Sequence, residues 1–115
     1  MSLKNKMTDL EKRFFCFIPH GMEHPRPRKE FERVFHMNKR QVEKVIESLI
    51  YKGVPICSIK EKDGGYFIPN TEEERQIGLR ANKSQVATTK RRIAAVEYVD
   101  LNNFRAISEE IRYGI

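Results

Sequence analysis

Apolar positions recur at helical spacing in several stretches of the chain and alternate briefly in one. Leu10, Phe14, Phe17 and Ile18 follow Thr8-Asp-Leu-Glu11, which has capping-box form, and predict a helix from about Asp9 to Ile18 that Pro19 stops. His20 to Pro27 contains Gly21, Pro25 and Pro27 and reads as a loop or a short extended link. A second helix over Arg28–Phe35 is expected to pack Phe31, Val34 and Phe35. His36-Met37 then forms a turn, with Met37 returning to the core. Asn38 to Gln41 is another capping box and opens a helix over Lys39–Lys52. Its Val42, Val45, Ile46 and Leu49 share one stripe, and Arg40, Lys44, Glu47 and Tyr51 lie opposite. Gly53 suits the position just past its end.

The next segment changes period. Val54–Ile59 and Tyr66–Ile68 predict two short strands around a tip at residues 60–65, with Ile56 and Tyr66 or Ile68 facing the core. Gly64-Gly65 permits the positive backbone angles of a tight hairpin. Asn70-Thr71 with Glu74 marks a third capping box, and Glu72-Glu73-Glu74 complements the dipole of the helix it opens. That helix could run from Glu72 to about Leu101, with a break near Ala81 to Ser84 as the alternative. Its Ile77, Ala81, Val86, Ile93 and Val96 are too irregular for a coiled coil. Asn102-Asn103 would cap a last short helix carrying Phe104, Ile107 and Ile111, closed by Gly114. The fold class is therefore α+β, mainly helical.

At 115 residues there is room for one domain, or a small domain with an extra helix or two. No apolar run approaches the length of a membrane span, and no signal-peptide layout opens the chain, so a cytoplasmic protein is expected. Cys16 and Cys57 both sit among apolar residues and read as reduced, buried thiols. Cys16, His20 and His24 are four apart, but Pro19 breaks the helix that would align them and a fourth ligand is lacking. Neither a metal site nor a cofactor is expected. No Ser-His-Asp or Cys-His constellation and no phosphate-cradling glycine loop is present, so no catalytic residue, enzymatic activity or small-molecule substrate is evident.

Charge narrows the partner class. The net charge is +6 and the isoelectric point about 9.5. Ten basic and five acidic residues lie between Arg26 and Lys62, and six basic residues with no acidic one lie between Arg75 and Arg92. Two basic zones on so small a protein suggest a polyanion.

Two stretches, Asn38-Lys-Arg-Gln-Val-Glu-Lys-Val-Ile-Glu-Ser-Leu49 and Lys52-Gly-Val-Pro-Ile-Cys-Ser58 with Gly64-Gly-Tyr-Phe-Ile68, carry a resemblance. Arg28 to Pro69 resembles the winged helix-turn-helix domain of DeoR-type and biotin-repressor-type bacterial regulators. It is also similar to small winged-helix proteins of phages and prophages, some linked to replication. The resemblance implies a winged helix-turn-helix domain over residues 8–70, with a small β-hairpin wing, and a C-terminal helical extension over 71–115. It implies that Lys39–Lys52 is a recognition helix. Two departures stand out: His36 occupies the turn position that usually holds glycine, and Glu43 replaces a polar or aromatic residue of the recognition helix. No effector-binding domain is expected after it, so ligand-controlled repression of the usual kind is not expected within this chain.

On that reading the partner is double-stranded DNA. Arg40 is the candidate for a bidentate guanine contact, with Lys44 one turn on in the same groove and Gln41 and Glu43 as flanking readers. Asn38 and Lys39 are placed for phosphate at the helix N-terminus, and Lys60 and Lys62 on the wing for an adjacent phosphate or the minor groove. Arg80, Lys83, Lys90, Arg91 and Arg92 form either a second phosphate-contacting surface or a solvated helix face. Whether the chain forms a homodimer is open, and transcription regulation, DNA replication and genome packaging all fit.

Overall fold

A computed structural model describes residues 2–59, 64–80 and 88–114; the side chains of residues 88–90 lie outside the description. The described chain is mainly helical with one small antiparallel sheet. The order is α1 (Leu3–Lys6), α2 (Asp9–Phe17), α3 (Arg28–Phe35), α4 (Lys39–Tyr51), β1 (Cys57–Ile59), β2 (Gly65–Phe67), α5 (Glu72–Arg80), α6 (Thr88–Glu97) and α7 (Leu101–Tyr113). Among the described residues no helix is long and apolar enough to cross a membrane.

The three capping boxes fix the starts of three helices. Thr8 and Glu11 exchange bonds of 3.1 and 2.8 Å at α2, and Asn38 and Gln41 exchange bonds of 2.8 and 3.0 Å at α4. At α5 the Glu74 amide donates to Thr71 Oγ1 at 3.1 Å, and Glu74 in turn accepts from the Asn70 amide at 2.8 Å. Each arrangement satisfies N–H groups that a helix start leaves without partners.

The core begins as an aromatic cluster. Phe14 of α2 lies 4.3 Å from Phe35 and 5.3 Å from Phe31 of α3, and Phe31 meets Tyr66 of β2 edge-on at 5.7 Å. Val42, Ile46, Leu49 and Ile50 of α4 are buried beneath it, while Val45 is half-buried. Val34 departs from expectation. It is 42% exposed, because Phe31 and Phe35 alone fill the side of α3 that faces α2.

The turn between α3 and α4 is set by His36, which adopts the left-handed conformation at φ 55 and ψ 49. Histidine tolerates that region better than most non-glycine residues. Gly53, at φ 113, ends α4 as its sequence position implies.

The hairpin pairs Cys57 with Phe67, Ser58 with Tyr66 and Ile59 with Gly65. The link after α2 is more than a loop. His20 bridges to Ile68, and Arg26 exchanges backbone bonds of 2.9 and 2.8 Å with Tyr66, so its extended backbone lies along the outer side of β2. Gly65 is needed here for space, not for a positive φ: a Cβ on it would lie 2.2 Å from the Arg26 carbonyl oxygen.

The single long helix considered for residues 72 to 101 does not occur. α6 returns beside α5: Arg75, near the start of α5, donates to the carbonyls of Val96 and Val99 around the end of α6, and Leu79 lies beside Ile93 and Val96. α7 is then capped by Asp100, whose Oδ1 accepts from the amides of Asn102 and Asn103, so these asparagines lie within the helix and do not cap it. Gly114 closes α7 at φ 70.

Phe15 packs on Phe104 of α7 at 6.1 Å, so α2 is buried on two sides. Leu79, Val96 and Phe104 therefore share one core with the first seventy residues. Burial on two sides leaves Cys16, with Asp9 and Arg13, on the outward face of α2. It is exposed, in contrast to the buried thiol expected, whereas Cys57 is buried.

Candidate nucleic-acid interface

α4 separates an apolar underside from a charged outer face. Arg40, Lys44 and Glu47 are exposed and Glu43 is half-buried, and the four line one shallow depression. Among the described residues Arg40 and Lys44 make no ion pair or hydrogen bond, so both cations stay available to solvent. They sit one turn apart, about 6 Å along the axis. Lys39 is exposed in the first turn, which contains no acidic residue, so the positive end of the helix dipole is unopposed by a carboxylate there.

Asn38 and Gln41 are committed to each other. The Asn38 side-chain oxygen accepts from the Gln41 amide, and Gln41 Oε1 accepts from the Asn38 amide. Gln41 retains its Nε2 for an outside acceptor.

Glu43 has a partner that the sequence does not reveal. Arg28 at the start of α3 lies 3.9 Å from its Oε1 and also pairs with Glu32 at 3.0 Å. The Tyr66 hydroxyl sits among these groups. Its pKa is raised by burial, and the charges of Arg92, Glu43, Arg28 and Glu32 all act on it. Arg28 is thus held by two carboxylates. Arg26 is likewise occupied, donating to the Phe17 carbonyl at 2.8 Å and to Glu30 at 3.0 Å while lying 4.1 Å above the Phe17 ring. Both are thus paired within the fold, with 38% of the Arg26 side chain and 34% of the Arg28 side chain exposed.

The second basic zone divides. Arg75 is buried and ties α5 to α6, pairing with Glu72 as well as with the two carbonyls. Arg80 is exposed at the end of α5. Arg91 lies 5.0 Å over the ring of Tyr51, which is itself exposed at the last turn of α4. Arg92 is half-buried beside Ser58 and Tyr66 of the hairpin. α6 therefore places Arg91 and Arg92 against α4 and the hairpin, respectively. Lys60, Lys62 and Lys83 lie outside the described residues, as does the Lys90 side chain.

The contacts Arg28–Glu43 and Arg91–Tyr51 join residues distant in sequence, so periodicity carries no sign of them. The one available hint for Tyr51 is its place on the polar face of α4.

The chain matches no family model, and neither the curated proteins nor the solved structures include a match to it.

Proposed function

We propose that the chain is a non-catalytic double-stranded DNA-binding protein built on a winged helix-turn-helix. α4 acts as recognition helix in the major groove and the hairpin tip rests on the flanking backbone. The observation that carries this reading is the pair Arg40 and Lys44, exposed one turn apart on a helix whose opposite side is locked by Val42, Ile46 and Leu49. A helix packed firmly on one side, with cations that have no ion pair among the described residues, fits a groove about 12 Å wide and offers Arg40 for a bidentate guanine contact. Further support comes from the helix–turn–helix order with its left-handed His36, and from Arg26 pairing that sets the hairpin beside α3. Arg91 and Arg92 would add phosphate contacts from α6, and Arg80 one from α5. On this reading the protein is a phage or prophage accessory or a small transcriptional regulator; a replication-initiation accessory uses the same surface.

Glu43 and Glu47 on the same face favour a second reading, a winged-helix module that binds protein, because carboxylates repel phosphates. Selection of fragments from random duplex DNA, followed by affinity measurements across salt concentration, separates the two. The DNA reading expects an enriched motif, affinity that falls steeply with salt, and its loss in Arg40→Ala/Lys44→Ala. Weak binding unchanged in that double variant favours the protein module.

A further inference from the structure

A second cluster of polar groups lies away from α4. A pocket of about 270 Å³ between α7 and the link after α2 is lined by His20, Asn70, Arg105, Ser108, Glu109 and Arg112. It shares no residue with the charged face of α4.

Its charge is unbalanced. Arg105 and Arg112 have no carboxylate partner among the described residues, and Glu109 is the only acid in the lining. Glu74, which accepts from the Asn70 amide, has its other oxygen taken by the Met22 amide at 3.1 Å.

Arg112 is fixed in place. Its Nε donates to Ser108 Oγ at 3.1 Å, its Nη2 to the Ile18 carbonyl at 2.7 Å, and its Nη1 to the Cys16 carbonyl at 3.4 Å. The guanidinium also lies 4.7 Å over the Phe15 ring. Three of its five N–H groups are used, and two remain. Ser108, accepting from Arg112, also shares a hydrogen bond of 2.7 Å with His20 Nε2. This pair is a strut and not a nucleophile with its base: Ser108 is 2% exposed, and its oxygen already accepts from a guanidinium. His20 is held below its ordinary pKa by burial and by the charges of Arg112 and Arg105, against a hydrogen bond with Asn70 that acts the other way.

We propose that this pocket binds the phosphate group of a small phosphate monoester. Arg105 and Arg112 supply the charge, the Asn70 side-chain amide orients the ligand, and His20 beside them senses its charge. Guanidinium groups match phosphate geometry, and charge-assisted bonds of this kind are the strong ones. The volume is just under the range of about 300–1,000 Å³ for pockets that take drug-sized ligands, so the ligand is small. A bound dianion also offsets the positive field on His20.

The test follows the His20 imidazole by NMR through a pH titration of the full chain. Inorganic phosphate is compared with chloride at matched ionic strength, and the signal is assigned with His20→Gln. Phosphate is expected to raise the His20 midpoint in a saturable way. Arg105 is exposed, so Arg105→Gln should fold normally and weaken phosphate binding about tenfold, with Arg105→Lys recovering part of it. Identical titrations in the two salts overturn the proposal. A shift produced by a short DNA duplex but not by inorganic phosphate or glycerol phosphate also overturns it, and assigns the cluster to a nucleic-acid surface.

Discussion

Gly65 and Arg26 approach so closely that a Cβ on the glycine would stand 2.2 Å from the arginine's carbonyl oxygen and 2.6 Å from the nitrogen of Pro27. The obstacle is backbone, so no rotamer change relieves it. This approach lets Arg26 pair with Tyr66 and sets the hairpin against the start of α3. Gly65→Ala must therefore push the hairpin away from α3. The expected loss is about 1–3 kcal/mol in chemical denaturation. Amide exchange at Tyr66 should accelerate more than at buried α4 positions such as Ile46. Equal acceleration at both would mean that the link and hairpin do not move as a unit.

Much of the frame was legible in the sequence because it rests on local chemistry. Capping boxes at Thr8, Asn38 and Thr71 act over three or four residues, and the Val42–Leu49 stripe needs only helical periodicity. The same holds for His36 and Gly53, whose φ values follow from turn position. Features that escaped depend on what arrives from far along the chain. Phe15 looks no different from Cys16 in sequence until α7 covers one and leaves the other bare. Val34 reads as core until Phe35 proves sufficient. The turn back from α5 to α6 rests on Arg75, whose carbonyl partners lie 21 and 24 residues away. In the candidate interface the outward cations of α4 were legible, whereas Arg28 beside Glu43 and Arg91 over Tyr51 were not.

Glu11 should give the fold a marked acid sensitivity. Burial alone would raise its pKa, but hydrogen bonds from Lys52 Nζ at 2.6 Å, Ser48 Oγ at 2.6 Å and the Thr8 amide at 2.8 Å outweigh burial and bring it from 4.5 to about 2. The unfolded chain therefore binds a proton that the folded chain refuses, and stability falls as pH drops. The contribution is complete above the unfolded value of 4.5 and is lost as pH falls toward about 2. Its size is about 3 kcal/mol, from the span of the shift. Glu11→Gln should lower stability at pH 7 and flatten the dependence between pH 5 and pH 2. A variant that keeps the full acid slope would mean other carboxylates set it.

The two thiols should react very differently. Cys57 is buried under Gly78 and Phe67, and burial, aided by Glu72 and Glu74 against the opposing charge of Arg75, pushes its pKa up to about 12. Cys16 is exposed on α2. A thiol reagent at pH 8 should label one cysteine per folded chain, and mass spectrometry should place the label on Cys16. The second thiol should react only after unfolding. Rapid labelling of both in the native protein would mean that α5 does not stay closed over β1.

Arg75 is the side chain whose loss should separate the C-terminal helices from the rest. It is buried, pairs with Glu72 through Nε at 2.7 Å, and reaches the carbonyls of Val96, at 3.1 Å, and Val99. Those carbonyls end α6, where no further turn of helix can satisfy them. Arg75→Ala removes their donors and leaves Glu72 unpaired, for an expected loss of about 2–4 kcal/mol. Arg75→Lys should recover only part, because one ammonium cannot span a carboxylate and two carbonyls with the reach of a planar fork. The decisive reading is local: amide exchange in α6 and α7 should rise well before that of α3 and α4. On the proposed DNA-binding reading, affinity in Arg75→Ala at low temperature should then fall only by the share that Arg91 and Arg92 contribute, while the Arg40 and Lys44 surface remains in place. Uniform exchange across all helices would show instead that α5 and α6 unfold together with the α2–α4 core as a single cooperative unit.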